Sequence, residues 1–222
     1  VFIPRVFSYP NLKMGAHRNE DFGNMINGTT GQVSTTCILK DVDSRALIDF
    51  AAVHNSNNDF ALNGPQNIKA NLRNYWCNGT PLPPLKSSST EAEVNENFGE
   101  FTSTVTKLLV LQESKGYGEL IRNIKEGNIE EISPTDEITK ALFNIDMDAE
   151  GSNSVRSRQK KEAEDKEASN IYKAGSVVVF KNLKKNKFGI MIIRSVNVDF
   201  DAVKATNDAN ATITFDLYYQ RY

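Results

Sequence analysis

The sequence predicts an α+β fold, with mostly antiparallel β-sheet, inserted helices and a C-terminal three-strand meander. Segments rich in Val, Ile and aromatic residues occur near both ends of the chain, as is typical of strands. The last of them, residues 212–222, alternates apolar and polar side chains, which predicts a strand with one buried face. Between the two ends, helix-start signals interrupt the strand pattern.

The N-terminal part predicts strands joined by polar turns. Residues 1–13 carry two prolines, which favours an edge strand or an extended lead-in. An Asn-Gly turn at residues 27–28 precedes a predicted strand over residues 32–39. Residues 41–44 could then cap a short helical turn. Residues 46–54 predict a second strand, and its nearly continuous apolar character indicates burial on both faces.

The middle of the chain carries the helix signals. Thr90 and Glu93 form a capping box, which predicts that a helix starts there. Residues 105–111 favour a strand, although a buried helix end fits the same pattern. Residues 116–118 lead from a loop into a helix. Ser133 followed by Pro134 and acidic residues predicts another helix start.

The C-terminal third begins with a polar insert and ends in the meander. Residues 150–170 have almost no large apolar side chain, and their basic half precedes their acidic half, which opposes the helix dipole. We predict a solvated, mobile charged helix or loop there. Strands follow at residues 175–181, 188–198 and 212–222, and the middle one is apolar on both faces in its first half, which predicts a central position in the sheet.

Composition limits the class of protein. The 222 residues suit a single α+β domain over residues 1–222, with 39% hydrophobic and 24% charged residues as in globular proteins. The net charge of −2 gives no reason to expect nucleic acid as a partner. No apolar run is long enough to span a bilayer. Because the chain starts at Val1 and not at Met, we expect that a signal peptide or a preceding module has been removed upstream.

Cys37 and Cys77 are the two cysteines of the chain. A disulfide between them would close a loop of about 41 residues and contribute roughly 4 kcal/mol on the chain-entropy model. Two separate buried thiols are the alternative, since both cysteines have apolar or aromatic neighbours in the sequence. The spacing of the residues leaves the choice open.

No catalytic motif is present in the sequence. We therefore predict a protein that is not an enzyme and that has no cofactor. His17 and His54 are the two histidines, and their spacing fits no metal-binding pattern, so they are weak metal candidates. Exposed aromatic rings could stack on sugars, beside Asn-rich loops whose amides bind hydroxyl groups. The candidate ligand-binding residues are Tyr75, Trp76, Tyr117 and Tyr218.

Two phrases of the sequence resemble a known group of proteins. Residues 14–33, MGAHRNEDFGNMINGTTGQV, are followed by ALIDF, and the C-terminal part contains KAGSVVVFKNLKKNKFGIMIIRSV and ATITFDLYYQ. Together they resemble segments of secreted or surface-anchored lipoproteins of gut Bacteroidetes. His17 stands where that group usually has Gln, and the group's Tyr before Thr35 is missing. The resemblance covers about a third of the chain, and its motifs are structural and not catalytic.

The resemblance implies an exported, lipid-anchored protein of the cell surface or periplasm, held at the outer membrane by an anchor outside this chain. Glycan capture is common for such proteins. We therefore predict a non-enzymatic surface module that binds a glycan or another surface protein, or is structural. Two alternatives stay open. One is a haem- or metal-binding lipoprotein using His17, His54 or Met14. The other is a glycoside-processing enzyme with a carboxylate pair such as Asp49 and Asp216.

Overall fold

Among the residues that the structure describes, the fold has ten strands and four α-helices, with short 3-10 helices between them. The computed structural model describes residues 5–19, 21–54, 60–74, 77–127, 129–136, 139–159, 169–199 and 210–222. The strands are β1 (Val6–Gly15), β2 (Met25–Asn27), β3 (Gln32–Ser34), β4 (Phe50–His54), β5 (Phe60–Asn63), β6 (Thr106–Val110), β7 (Arg156–Gln159), β8 (Val177–Asn182), β9 (Lys187–Asn197) and β10 (Thr212–Gln220). The α-helices are α1 (Val42–Arg45), α2 (Glu91–Thr102), α3 (Gly118–Lys125) and α4 (Lys140–Phe143), and the 3-10 helices are Thr36–Lys40, Pro65–Arg73, Glu113–Lys115 and Gly151–Val155.

The strands form two antiparallel five-stranded sheets. The first sheet has the order β1-β10-β9-β8-β6, and the second has the order β3-β2-β4-β5-β7. The strands β8, β9 and β10 are neighbours in sequence order, so the C-terminal three-strand meander is confirmed, and β9 lies in the middle of its sheet as expected. The α+β class with mostly antiparallel sheet is likewise confirmed.

The two sheets pack face to face around an inner cluster of buried side chains. Its members from the first sheet include Met14, Leu108, Val178, Phe180, Met191, Phe215 and Leu217, and those from the second include Ile26, Phe50, Ala52, Phe60 and Leu62. The rings of Phe50 and Phe180 meet across the interface, with their centroids 5.1 Å apart. Alternation in β10 explains this layer, because every second residue from Ile213 to Tyr219 is directed inward.

Each sheet is also covered on its outer face. The first outer cluster joins the first sheet to α3 and α4, and its members include Leu109, Val179, Ile190, Ile192, Leu120, Ile124 and Leu142. The second outer cluster joins the second sheet to α2 and the 3-10 helices, and its members include Met25, Ala51, Val53, Leu39, Ile68, Val94 and Phe101. Strands covered on both faces need apolar residues at successive positions, which explains the continuous apolar runs of β4, β8 and β9.

Three local helix predictions are confirmed. The hydroxyl of Thr90 accepts a hydrogen bond from the Glu93 amide, and the Glu93 carboxylate accepts one from the Thr90 amide, so a complete capping box starts α2. The Asp41 side chain accepts a hydrogen bond from the Ser44 amide at 2.8 Å and caps α1. The helix α3 starts at Gly118, as the loop at residues 116–118 predicted.

The predicted helix start at Ser133 is wrong. Residues 134–136 form a turn, residues 137 and 138 lie outside the described residues, and α4 covers only Lys140–Phe143. The Ser133 hydroxyl accepts a hydrogen bond from the Thr135 amide. The Thr139 hydroxyl accepts a hydrogen bond from the Ser133 amide and donates one to the Ser133 carbonyl oxygen. Such local side-chain bonds satisfy the backbone in a turn and compete with helix formation.

Two predicted strands are shorter than expected. The strand over residues 32–39 ends at Ser34, where a 3-10 helix takes over. The strand over residues 46–54 begins only at Phe50. The reason for the second difference is that the Leu47 amide donates to the Ser44 carbonyl oxygen at 3.1 Å, which closes a turn after α1.

The prediction of a loop or helix over residues 150–170 is wrong for its first half. Residues 151–155 form a 3-10 helix, and β7 pairs with β5 at the edge of the second sheet. A polar strand suits the edge of a sheet, because an edge strand has a neighbouring strand on one side only. Asn170 fixes the return of the chain, since its side chain donates to the carbonyl oxygens of Leu108 and Arg156 at 2.9 and 2.7 Å. Residues 160–168 lie outside the described residues.

Cys37 and Cys77 are joined by a disulfide, so the pairing that the sequence left open is present. It ties the 3-10 helix Thr36–Lys40 to the chain that follows the 3-10 helix Pro65–Arg73, on the outer side of the second sheet. Disulfides form and persist mainly in oxidising compartments, so the bond favours a location outside the cytoplasm. In the described part of the chain, no helix has the length and apolarity that crossing a membrane requires.

Candidate functional site

An aromatic ring and an ion pair lie side by side on the outer face of the first sheet. Tyr219 and Leu217 of β10 are directed into the inner cluster, so Asp216 and Tyr218 are directed to the opposite face. Tyr218 is partly buried and packs its ring against the first outer cluster. The arrangement follows directly from the alternation of β10, which the sequence made visible.

The cation of the pair is placed by a β-bulge. Ile193 pairs with Phe215 and Ser195 pairs with Thr214, so Arg194 is an extra residue in β9. The bulge brings its guanidinium to Asp216, where Nε donates to Oδ2 at 2.9 Å and Nη2 donates to the same oxygen. The Arg194 side chain is nevertheless 51% exposed, so solvent and ligands can reach it.

The Asp216 carboxylate is held from a second side by the edge strand. Its Oδ1 accepts a hydrogen bond from the Asn11 amide at 2.9 Å. Asn11 has φ of 54° beside an irregularity in the pairing of β1 with β10, and asparagine tolerates this left-handed conformation better than most residues. The carboxylate is therefore fixed between β1 and β9, and it fixes Arg194 in turn.

The electrostatics keep both members of the pair charged. Burial alone would raise the pKa of Asp216, but the hydrogen bonds from Arg194 and Asn11 and the charge of Arg194 together lower it. The hydrogen bond to Asp216 raises the pKa of Arg194, and the neighbouring Tyr218 contributes in the same direction. A guanidinium that is fixed on one side and open on the other can offer its remaining N–H groups to oxygen atoms of a ligand.

Two of the four predicted ligand-binding residues pack against the same outer cluster. Tyr117 lies just before α3 and packs partly buried against the first outer cluster, as Tyr218 does. Tyr75 and Trp76 lie outside the described residues. Cys77, the next residue, belongs to the second outer cluster, which covers the other sheet.

The chain matches no protein-family model, no curated protein and no solved structure. The relation to surface lipoproteins therefore stays a prediction from the sequence.

A buried carboxylate links the two sheets at one end of the sandwich. Asp49 is fully buried just before β4. Its oxygens accept hydrogen bonds from Gly28 N at 2.7 Å, Asn182 Nδ2 at 2.8 Å, Lys185 Nζ at 2.9 Å and Tyr219 Oη at 2.9 Å. Gly28 turns the chain between β2 and β3, and a Cβ there would lie 2.5 Å from Tyr219 Cδ2. Burial and then the charge of Asp49 raise the pKa of Tyr219, so its phenol stays protonated and donates.

Asp49 and Asp216 do not form the carboxylate pair that the enzyme alternative requires. Asp49 binds Tyr219, which is directed to the inner face of β10, whereas Asp216 lies on the outer face of the same strand. The two carboxyl groups are therefore separated by the sheet, and each is already held by basic and amide groups. This candidate pair is wrong.

The two histidines lie near one another. His54 ends β4, and His17 follows β1. Burial lowers the pKa of His17 to about 3, with further contributions from the charges of Arg18 and His54. Met14 is fully buried in the inner cluster. Within the ranges that the structure describes, no three His, Cys, Asp or Glu side chains are grouped as a metal site would need.

The low pKa of His17 predicts a loss of stability in mild acid. In the unfolded chain the imidazole binds a proton below about pH 6.5, whereas in the fold it does so only near pH 3. Stability is therefore complete above the unfolded pKa and decreases as the pH falls toward the folded one. Between about pH 6.5 and 4.5 the free energy of unfolding should fall with a slope approaching 1.4 kcal/mol per pH unit.

Urea denaturation at successive pH values measures this slope, and His17→Asn is the matched variant. The variant should give a clearly shallower profile in the same range. The carboxyl groups of Asp41, Glu100 and Asp216 have lowered pKa values, so their contributions are lost at lower pH and do not disturb the comparison. Equal slopes for the wild type and the variant would contradict the assignment to His17.

Sequence reasoning found Tyr218 but missed Arg194 and Asp216 as a pair. The available signal was that Arg194 is the only charged residue in the run from 188 to 198. Regular strand alternation does not predict where a bulge will direct such a residue. Arg194 therefore became a candidate only when the register of β9 and β10 was known.

Proposed function

We propose that this protein is an exported, non-enzymatic surface module that binds carbohydrate on the outer face of its first sheet. The observation that carries the proposal is the partly buried ring of Tyr218 next to the fixed, half-exposed guanidinium of Arg194. Sugar rings have apolar C–H faces that pack on aromatic rings, and hydroxyl groups that accept hydrogen bonds from a guanidinium.

The geometry suits binding better than catalysis. Asp216 accepts from Arg194 and from the Asn11 amide, so its charge holds the guanidinium and is already compensated. A general acid or base needs a proton that moves at the working pH, and the pKa of Asp216 is instead lowered. The pair is therefore a rigid hydrogen-bonding surface beside a stacking ring.

Tyr117 is the second aromatic residue that the site can use. It packs against the same outer cluster as Tyr218 and precedes α3, whose residues cover that face. Two rings on one face would allow contact with more than one sugar unit. The function as a surface module further agrees with the disulfide, since such proteins fold in oxidising compartments. Attachment to the outer membrane through an anchor outside this chain is part of the same proposal.

A glycan array followed by calorimetry on the best ligand tests the proposal. Tyr218→Ala should weaken binding by about tenfold or more, because it removes the ring and about 1.4 kcal/mol of stacking energy or more. Arg194→Lys should weaken binding less, since a lysine keeps the charge but loses the planar fork of donors. The matched control is Tyr222→Ala, which removes an exposed tyrosine outside the site and should leave binding unchanged.

Two results would contradict carbohydrate binding at this site. One is an array without any bound glycan, which would leave a structural role for the protein. The other is a bound glycan whose affinity does not change in Tyr218→Ala, which would move the binding site elsewhere, with Tyr75 and Trp76 as the next residues to replace.

A further inference from the structure

Exposed apolar side chains gather at one end of the sandwich, around the turn between β8 and β9. Leu47 and Leu183 are both 46% exposed. Lys185 of this turn donates from Nζ to the carbonyl oxygen of Leu47 at 2.6 Å, and the Leu183 amide donates to the carbonyl oxygen of Val105. The loop after α1 therefore lies against the turn that carries Leu183.

Tyr222 lies at the same end. Tyr219 of β10 pairs with Gly189 of β9, so the residues after Tyr219 run antiparallel to the start of β9 and toward the turn. Tyr222 is 67% exposed, and the guanidinium of Arg221 lies over its ring, 5.6 Å from the centroid. Three exposed apolar side chains thus lie at this end, which we call the turn end: Leu47, Leu183 and Tyr222.

Basic residues accompany these side chains. Lys184 donates from Nζ to the backbone carbonyl oxygen of Glu100 at 2.7 Å. The Glu100 carboxylate is itself paired with Arg45. Among the described residues, neither Lys184 nor Lys187 is in an ion pair with a carboxylate. Lys184 and Lys187 therefore place positive charge at the turn end, although the net charge of the chain is −2.

We propose that the turn end is a peripheral docking surface for a lipid bilayer with anionic headgroups. Apolar side chains at a turn can enter the boundary between headgroups and acyl chains while neighbouring lysines bind the headgroups. Each such lysine adds attraction to an anionic surface that decays within a Debye length. The docking does not depend on carbohydrate binding, because Tyr218 lies on the outer face of the sheet and not at its end.

The shape of this end favours a bilayer over an acidic protein as the occupant. Leu183 is at a hairpin turn, and Leu47 is in a loop, so the apolar groups project as separate points among charges. A stable protein interface needs a continuous, complementary area of about 1,000 Å² or more. A fluid lipid surface adapts to separate projecting side chains.

Co-sedimentation with lipid vesicles tests the proposal. Phosphatidylcholine vesicles with about one-third phosphatidylglycerol should bind the protein at low salt, and vesicles of phosphatidylcholine alone should bind it much less. Leu47→Ser with Leu183→Ser should lower the bound fraction at least threefold. Lys184→Gln with Lys187→Gln should lower it and weaken its dependence on salt.

The matched control changes charge at the other end of the first sheet. Lys125 lies there, with its Nζ beside Gly175 just before β8, and Lys173 is exposed nearby. Lys125→Gln with Lys173→Gln removes the same charge and should leave vesicle binding unchanged. Thermal unfolding of each variant checks that the fold is intact.

Three outcomes would overturn the proposal: no binding of the wild type to anionic vesicles, equal binding of the double serine variant, or equal loss in the lysine control pair. Binding to a polyglutamate column without binding to vesicles would assign the turn end to an acidic protein instead. Tyr218→Ala should bind vesicles like the wild type, so this proposal and carbohydrate binding can fail independently.

Discussion

Replacing Asp49 by alanine is expected to lower the free energy of unfolding by about 3–5 kcal/mol, because it removes one partner of a buried ion pair. The loss extends beyond Lys185, since the Asn182 amide, the Tyr219 hydroxyl and the Gly28 amide also donate to this carboxylate. Buried donors that lose their acceptor keep the full cost of desolvation. The effect should be large because these donors come from both sheets.

Urea denaturation at pH 7 measures this loss of free energy. Two further variants serve as comparisons. Asp49→Asn keeps the size of the side chain and one carbonyl oxygen, so its effect should be smaller than that of alanine. Asp43→Asn removes an exposed carboxylate from α1 and should change the free energy by less than about 0.5 kcal/mol. A loss below about 1 kcal/mol in Asp49→Ala would show that the network does not hold the sheets together.

Double-mutant cycles can measure how much each hydrogen-bonded pair of the Asp49 network contributes to the free energy of unfolding. Tyr219→Phe removes only the hydroxyl, so by itself it should cost about 1 kcal/mol for one hydrogen bond. Combined with Asp49→Ala, its cost should almost disappear, because the partner is already gone. Additive effects of the two replacements would instead indicate that they act independently.

The sequence predicted the elements whose signals are local. The alternation of β10 identified its inward residues, and the capping box at Thr90 identified the start of α2. In each case the side chains that decide the structure are within a few residues of one another, so the pattern and the physical cause coincide. The apolar run of β9 also predicted its central place, because only a strand with covers on both faces can bury such a run.

The sequence failed where the deciding contacts are distant. The sequence offered Asp49 only as one of a conceivable catalytic carboxylate pair, yet it binds Tyr219, which is 170 residues away in sequence. The Ser133 start signal failed because Thr139 offered the same backbone groups a competing partner. For the candidate site, Tyr218 was visible from its strand, whereas Arg194 needed the register shift between β9 and β10.

Removing the disulfide should have an effect of similar size on the second sheet. The bond between Cys37 and Cys77 spans 40 positions of sequence, and on the chain-entropy model such a loop contributes about 4 kcal/mol. The enclosed segment contains α1, β4 and β5, so the cross-link restricts the unfolded chain over the elements that form the middle of this sheet. Cys37→Ser with Cys77→Ser should therefore lower the midpoint of urea unfolding strongly.

Reductant provides the internal control for this prediction. Wild-type protein unfolded with reductant should approach the stability of the double variant, and the double variant itself should not respond to reductant. Cys77 is almost completely buried in the second outer cluster, so serine there adds the cost of a buried hydroxyl. Cys37→Ala with Cys77→Ala separates that cost from the entropy of the loop. If the alanine pair were as stable as the oxidised wild type, the cross-link would contribute nothing to the fold, and only its indication of an oxidising compartment would stand.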